Sequence, residues 1–109
     1  MRWISLEKEP SEVSILTHTL FFKNNYKQQI VKELEANPTD LLFVQELTPA
    51  WKSELAPLTH KRYKYQKTYV SRFTYGIGIY STYPIASTSY LKNSQNQPYC
   101  QVSEVIIKD

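Results

Sequence analysis

The chain has 109 residues, room for one small domain against a prior of about 150 residues per domain. Thirteen basic and ten acidic residues give a net charge of +3, and 41% of residues are hydrophobic, a balance that excludes a disordered chain. No apolar run reaches the roughly 18 residues of a membrane-spanning helix, and residues 1–10 carry Glu7 and Glu9 in place of the apolar stretch of a secretory signal.

Residues 1–12, interrupted by Pro10, read as a leading tail with a short strand at 3–6. Val13 to Phe22 is β-branched and apolar, a strand buried on at least one face. Lys23-Asn24-Asn25 breaks it, and Asn25 with Gln28 three residues on has the form of a helix cap. Tyr26, Ile30, Val31 and Leu34 then recur at helical spacing, until Asn37-Pro38 ends the helix. Leu41 to Val44 is apolar without alternation, as in a strand of a parallel sheet covered on both faces. Thr48-Pro49 supplies a capping residue and a first-turn proline for a second helix, whose buried stripe is Trp51, Leu55 and Leu58. Strand, helix, strand, helix predicts a right-handed βαβ unit and an α/β fold. After His60 come strands at Tyr63–Val70, Tyr75–Ser81, Ile85–Leu91 and Tyr99–Ile107, antiparallel by their short connections, with a turn at Pro84 and a polar loop at Lys92–Pro98.

Glu46 stands at the carboxyl end of the apolar strand, where open α/β sheets collect their ligands. A carboxylate there suits Mg²⁺ or Mn²⁺, which take hard oxygen donors; a solvated strand-end residue, or one favouring the following helix N-terminus, is the plainer alternative. Lys61, Arg62, Lys64, Lys67 and Arg72 form an acid-free basic segment interleaved with Tyr63, Tyr65, Tyr69 and Phe73. Tyr63, Tyr65, Lys67 and Tyr69 would share one strand face, and Lys64, Lys67 and Arg72 are candidates for holding a polyanion. Against this stands an ordinary tyrosine-rich strand with solvated lysines. His18 on an apolar strand reads as a hydrogen-bonded core residue, His60 as solvated and Cys100 as a small buried hydrophobe. A lone cysteine forms no internal disulfide, which fits a reducing, cytoplasmic compartment.

Three segments resemble the endonuclease/exonuclease/phosphatase superfamily, in family order and spacing. They are the strand from Val13 to Leu20, the run Pro38-Thr39-Asp40-Leu41-Leu42-Phe43-Val44-Gln45-Glu46-Leu47-Thr48, and Tyr75-Gly76-Ile77-Gly78-Ile79-Tyr80-Ser81-Thr82-Tyr83-Pro84-Ile85. The resemblance implies a four-layer α/β sandwich and metal-dependent hydrolysis of phosphate esters, with nucleic acids or phospholipid headgroups as substrates. By it Glu46 is a Mg²⁺ (or Mn²⁺) ligand, and Thr19 stands where the family has an Asn beside metal and phosphate. The family's later Asp-x-Asn and Asp-His motifs have no counterpart, since no Asp occurs between Ser81 and Asp109 and no His follows His60. Residues 13–109 are therefore expected to be the N-terminal half of such a domain, inactive alone and holding metal weakly. Such a half is expected to bind a complementary polypeptide or self-associate, because one sheet face would lack its cover. The competing expectation is a non-catalytic module that binds a polyanion or another protein.

Overall fold

The computed structural model describes residues 12–23 and 25–107. The tail expected over 1–12 thus lies outside the described residues save for Glu12, as does Asn24. Eight elements follow in order: β1 (Ile15–Thr19), α1 (Lys27–Ala36), β2 (Leu41–Gln45), α2 (Pro49–Arg62), β3 (Tyr65–Tyr69), β4 (Ile77–Ser81), β5 (Ile85–Lys92) and β6 (Pro98–Val105). Strands β1, β2, β4 and β3 form one sheet in that spatial order, and β5 with β6 forms a second. β1 pairs parallel to β2, giving the βαβ unit, while β4 runs antiparallel to both β2 and β3.

Strand β2 is central, so its residues alternate between two apolar layers. Leu42 and Val44 join Leu20, Leu34, Leu47, Trp51, Leu55, Leu58, Tyr63 and Tyr80 in a core between the sheet and the helices. Leu41 and Ile79 point the other way and pack with Val105, flanked by Phe43, Tyr83 and Ile85, under the β5–β6 sheet. This corrects the expectation of an uncovered sheet face over β2 and β4, where the chain's own hairpin buries Leu41 and Ile79, while Ile15 on β1 stays exposed. The molecule has three layers: helices, four-stranded sheet, two-stranded sheet. No helix among the described residues is long and apolar enough to cross a membrane.

Local chemistry explains the boundaries. Thr48 caps α2 as its sequence promised, its Oγ1 accepting the Trp51 N–H at 3.1 Å, with Pro49 in the first turn. For α1 the expected Asn25 cap is replaced by Tyr26, which makes no side-chain capping bond. The helix starts one residue later than the pattern implied, so Tyr26 leaves the apolar stripe and is 71% exposed. Its other end is closed from α2: the Arg62 guanidinium donates to the Leu34 and Glu35 carbonyls at 3.0 Å each. β1 is shorter than expected because only five residues of β2 stand in register with it. Below the sheet, Asp40 Oδ2 accepts the Ser14 backbone N–H at 3.0 Å, so the acid leading the apolar run pins the strand starts together.

Tyr80 is buried against Tyr63, with ring centroids 6.2 Å apart, and its hydroxyl has no hydrogen-bond partner among the described residues. Burial pushes its phenol up from 10.0 to about 12. Between those pH values the unfolded chain releases the proton while the folded chain keeps it, so stability falls as pH rises. The loss approaches roughly 3 kcal/mol at the upper limit. Tyr80→Phe is expected to raise stability by about 1 kcal/mol at neutral pH and to flatten most of the decline. Tyr90, raised by burial and by Tyr69, leaves a smaller remainder. Urea unfolding at pH 7 and pH 11 checks this; an undiminished alkaline decline in Tyr80→Phe would refute the assignment.

Candidate functional site

Because β1 and β2 are parallel, their carboxyl ends lie side by side, with Thr19 opposite Gln45. The Thr19 hydroxyl donates to Gln45 Oε1 at 3.2 Å. Just past this pair the backbone leaves the strand abruptly. Glu46, one residue beyond Gln45, takes φ 59° and Phe21, two beyond Thr19, takes φ 61°, both left-handed conformations that cost a non-glycine residue about 1–2 kcal/mol. Paired strain of this kind persists only when surroundings enforce it, and it concentrates at ligand sites.

The enforcing contacts are specific. The Leu20 N–H donates to the Gln45 carbonyl at 2.9 Å, continuing the ladder one step past the strands. The Phe22 N–H then donates to Glu46 Oε1 at 3.3 Å, and the Trp51 indole N–H donates to the Phe21 carbonyl at 3.1 Å. On the other side, the Leu47 N–H donates to the Gly76 carbonyl at 3.1 Å, and the Ser71 N–H donates to the Leu47 carbonyl at 3.0 Å. Three connections therefore meet at Glu46: β1–α1, β2–α2 and β3–β4.

The oxygen donors at this end are the half-buried Glu46 carboxylate, the Thr19 hydroxyl and the Gln45 amide. Glu46 Oε1 accepts from an amide, and a carboxylate has a second oxygen to offer a ligand. The set is all oxygen with a single negative charge. It fits a hard divalent cation that keeps most of its water, and does not fit a closed protein cage. Among the described residues no three His, Cys, Asp or Glu side chains converge on a common point.

The basic segment does not stay together. Tyr65 stands in the row of Ser81 and Leu41, at the opposite end of the sheet from Glu46, while Tyr69 shares the row of Ile77 and Gln45. Four residues of strand separate them, about 13 Å. Lys64 therefore lies at the far end, its Nζ 5.6 Å from the Tyr65 ring centroid. Lys67 is exposed at mid-strand, and Arg72 is exposed in the β3–β4 connection at Glu46's end. Tyr63, expected on the strand face with Tyr65 and Tyr69, instead ends α2, buried, its hydroxyl 3.2 Å from Thr39 Oγ1.

His18 Nδ1–H donates to the Thr19 carbonyl at 2.8 Å. Its ring is half-buried and, with Leu16, Glu33 and Asn37, lines an open cleft of about 510 Å³ between β1 and α1. This is the hydrogen-bonded reading of His18, although at the core's margin. His60 is exposed as expected, whereas Cys100 is only partly buried. The residues that sequence reasoning missed are Phe21 and Phe22; Phe73 entered it only as one of the rings interleaved with the basic segment. Phe21-Phe22 read as the end of an apolar strand, and nothing local marked the chain reversal after Thr19. Comparison with family models, curated proteins and solved structures finds no match for this chain.

Proposed function

We propose that the chain is part of a divalent-metal-dependent phosphoesterase of the endonuclease/exonuclease/phosphatase kind, with Glu46 as a ligand of Mg²⁺ or Mn²⁺. The observation that carries this reading is the placement of Glu46. It is a carboxylate at the carboxyl end of a buried parallel strand, held by a backbone amide, in a backbone conformation that costs energy. The three layers are compatible with the family's four-layer sandwich, in which β5 and β6 would begin the second sheet.

When bound, the cation would polarise a phosphoryl oxygen and stabilise the departing oxyanion. Glu46 would hold it through the carboxylate, and the Phe22 N–H fixes the carboxylate's orientation. Thr19 would donate a hydrogen bond to a phosphate oxygen, giving up its present donation to Gln45. His18 is an imidazole with an orienting partner, the Thr19 carbonyl, but its ring faces the cleft between β1 and α1 with Leu16, Glu33 and Asn37, so water activation falls to none of the described residues. Substrates would be phosphate esters, of nucleic acid or of a phospholipid headgroup.

A second reading is a non-catalytic module that binds a polyanion or a complementary polypeptide. It is favoured by the exposure of Leu91, Val102 and Ile106 on and beside the β5–β6 sheet, of Lys64 just before β3 and of Lys67 on it. Titration with Mn²⁺, followed by paramagnetic broadening of amide signals, separates the two. Broadening centred on Thr19, Phe22 and Glu46, weakened at least severalfold by Glu46→Gln, is the expected result. Broadening spread over surface acids and unchanged in Glu46→Gln would overturn the metal assignment and leave the second reading.

A further inference from the structure

The same end of the molecule exposes aromatic rings on connections that are firmly held. Phe21 is 59% and Phe73 is 63% exposed, although burying a phenylalanine is worth about 1.5–3 kcal/mol. Neither ring sits on a loose loop. The Phe21 carbonyl is tied to the Trp51 indole, and the Ser71 N–H to the Leu47 carbonyl. The Phe73 N–H donates to Ser71 Oγ at 3.2 Å. Phe22 braces Phe73 edge-on, with centroids 6.1 Å apart and planes at 76°.

Each exposed ring has a cation within two residues: Lys23 after Phe21, Arg72 before Phe73. Lys23 Nζ lies 5.5 Å from the Phe22 centroid, so the positive charge is folded back among the rings. Each connection sets a cation directly beside a ring, Lys23 after Phe22 and Arg72 before Phe73, and both connections border Glu46. Stacked bases on a phosphate backbone call for rings beside cations. Membrane binding scales with the apolar area buried, and Phe21 and Phe73 offer a small area for it.

We propose that the connections after β1 and β3 form a site for single-stranded nucleic acid, with bases stacking on Phe21 and Phe73 and phosphates held by Lys23 and Arg72. The proposal rests on the phosphoester reading of the Glu46 end and names its substrate class. Phenylalanine rings carry no hydrogen-bonding group, so recognition is tolerant of base sequence. Lys64 and Lys67 take no part, since Lys64 lies at the far end of the sheet and Lys67 at mid-strand.

The test is fluorescence anisotropy with a labelled twelve-nucleotide oligothymidylate and an abasic oligomer of the same length, in EDTA and at salt from 50 to 200 mM. The unaltered chain is expected to bind the abasic oligomer about tenfold more weakly or worse, a comparison independent of any variant's folding. Phe73→Ala is expected to weaken oligothymidylate binding about tenfold, with Phe73→Trp restoring it. Lys23→Gln and Arg72→Gln should each reduce the slope of log affinity against log salt by about 0.7, while Lys64→Gln leaves it unchanged. Equal binding of the two oligomers, or no oligonucleotide binding alongside Phe73-dependent binding to vesicles of phosphatidylcholine and phosphatidylserine at 3:1, would overturn the proposal. Because the buffer holds no free metal, the Mn²⁺ experiment stands apart. Lost stacking with Mn²⁺ broadening intact refutes this inference alone, and the converse refutes only the metal assignment.

Discussion

Gly76→Ala is expected to destabilise the fold by at least about 3 kcal/mol, a large share of the roughly 5–15 kcal/mol that holds a domain together. A Cβ at position 76 would stand 1.8 Å from the Leu47 carbonyl oxygen and 2.6 Å from its carbon, both backbone atoms. No side-chain rotation relieves that contact. The β3–β4 connection would have to retreat by roughly 1 Å or more to restore ordinary separation. Retreat breaks the bond from the Leu47 N–H to the Gly76 carbonyl, and with it the bond from the Ser71 N–H to the Leu47 carbonyl. Glu46 immediately precedes Leu47, so the damage reaches the proposed ligand. Gly78 is the control. A Cβ there would meet side-chain methyls and not backbone, Thr68 Cγ2 at 2.9 Å and Leu47 Cδ2 at 3.2 Å; the Leu47 end moves readily, the β-branched Thr68, bonded to Lys52, less so. Gly78→Ala should therefore cost less than Gly76→Ala, about 1–2 kcal/mol. Urea midpoints of the two variants decide the matter; similar midpoints would mean that the close approach at Gly76 is not what the fold depends on.

The fold was legible where burial and backbone chemistry act within one segment. The unbroken run Leu41–Val44 implied a strand covered on both faces, and it lies between the helix layer and the hairpin. Thr48-Pro49 announced α2, and the stripe of Trp51, Leu55 and Leu58 overrides Pro57, which sits inside that helix. Where contacts come from distant segments, the pattern misled. Asn25 looks like a cap, yet α1 begins after Tyr26, and its carboxyl end is fastened by Arg62, 28 residues past Leu34. The same limit applies to the candidate site. Glu46 could be picked out from its position after an apolar strand. Its left-handed backbone, the matching geometry of Phe21 and the meeting of three connections depend on sheet pairing that no local motif records. The basic segment shows the reverse error: adjacency in sequence suggested one patch, and strand geometry sends Lys64 and Arg72 to opposite ends.

Trp51 links the core to this site, and two substitutions there are expected to behave differently. The side chain is fully buried beneath the sheet, its indole N–H donates to the strained Phe21 carbonyl, and Lys27 Nζ lies 5.3 Å from its ring. Trp51→Ala removes the largest side chain of the helix-side core and should cost about 3–5 kcal/mol through lost burial and the cavity left behind. Trp51→Phe keeps most of the apolar volume but deletes the donor. It should cost about 1–3 kcal/mol, because the Phe21 carbonyl loses its indole partner and a smaller gap opens. The consequence at the surface should exceed that figure's modest size. Without the indole bond the left-handed Phe21 is held only by what its neighbours Leu20 and Phe22 make, so its connection can relax and withdraw the Phe22 amide from Glu46 Oε1. In Trp51→Phe the Mn²⁺ broadening at Thr19 and Glu46 should therefore weaken severalfold while the urea transition stays cooperative with an unchanged slope. If Trp51→Phe loses stability but keeps the full broadening, the indole serves packing alone, and the geometry of Glu46 is maintained from the Leu47–Gly76 side.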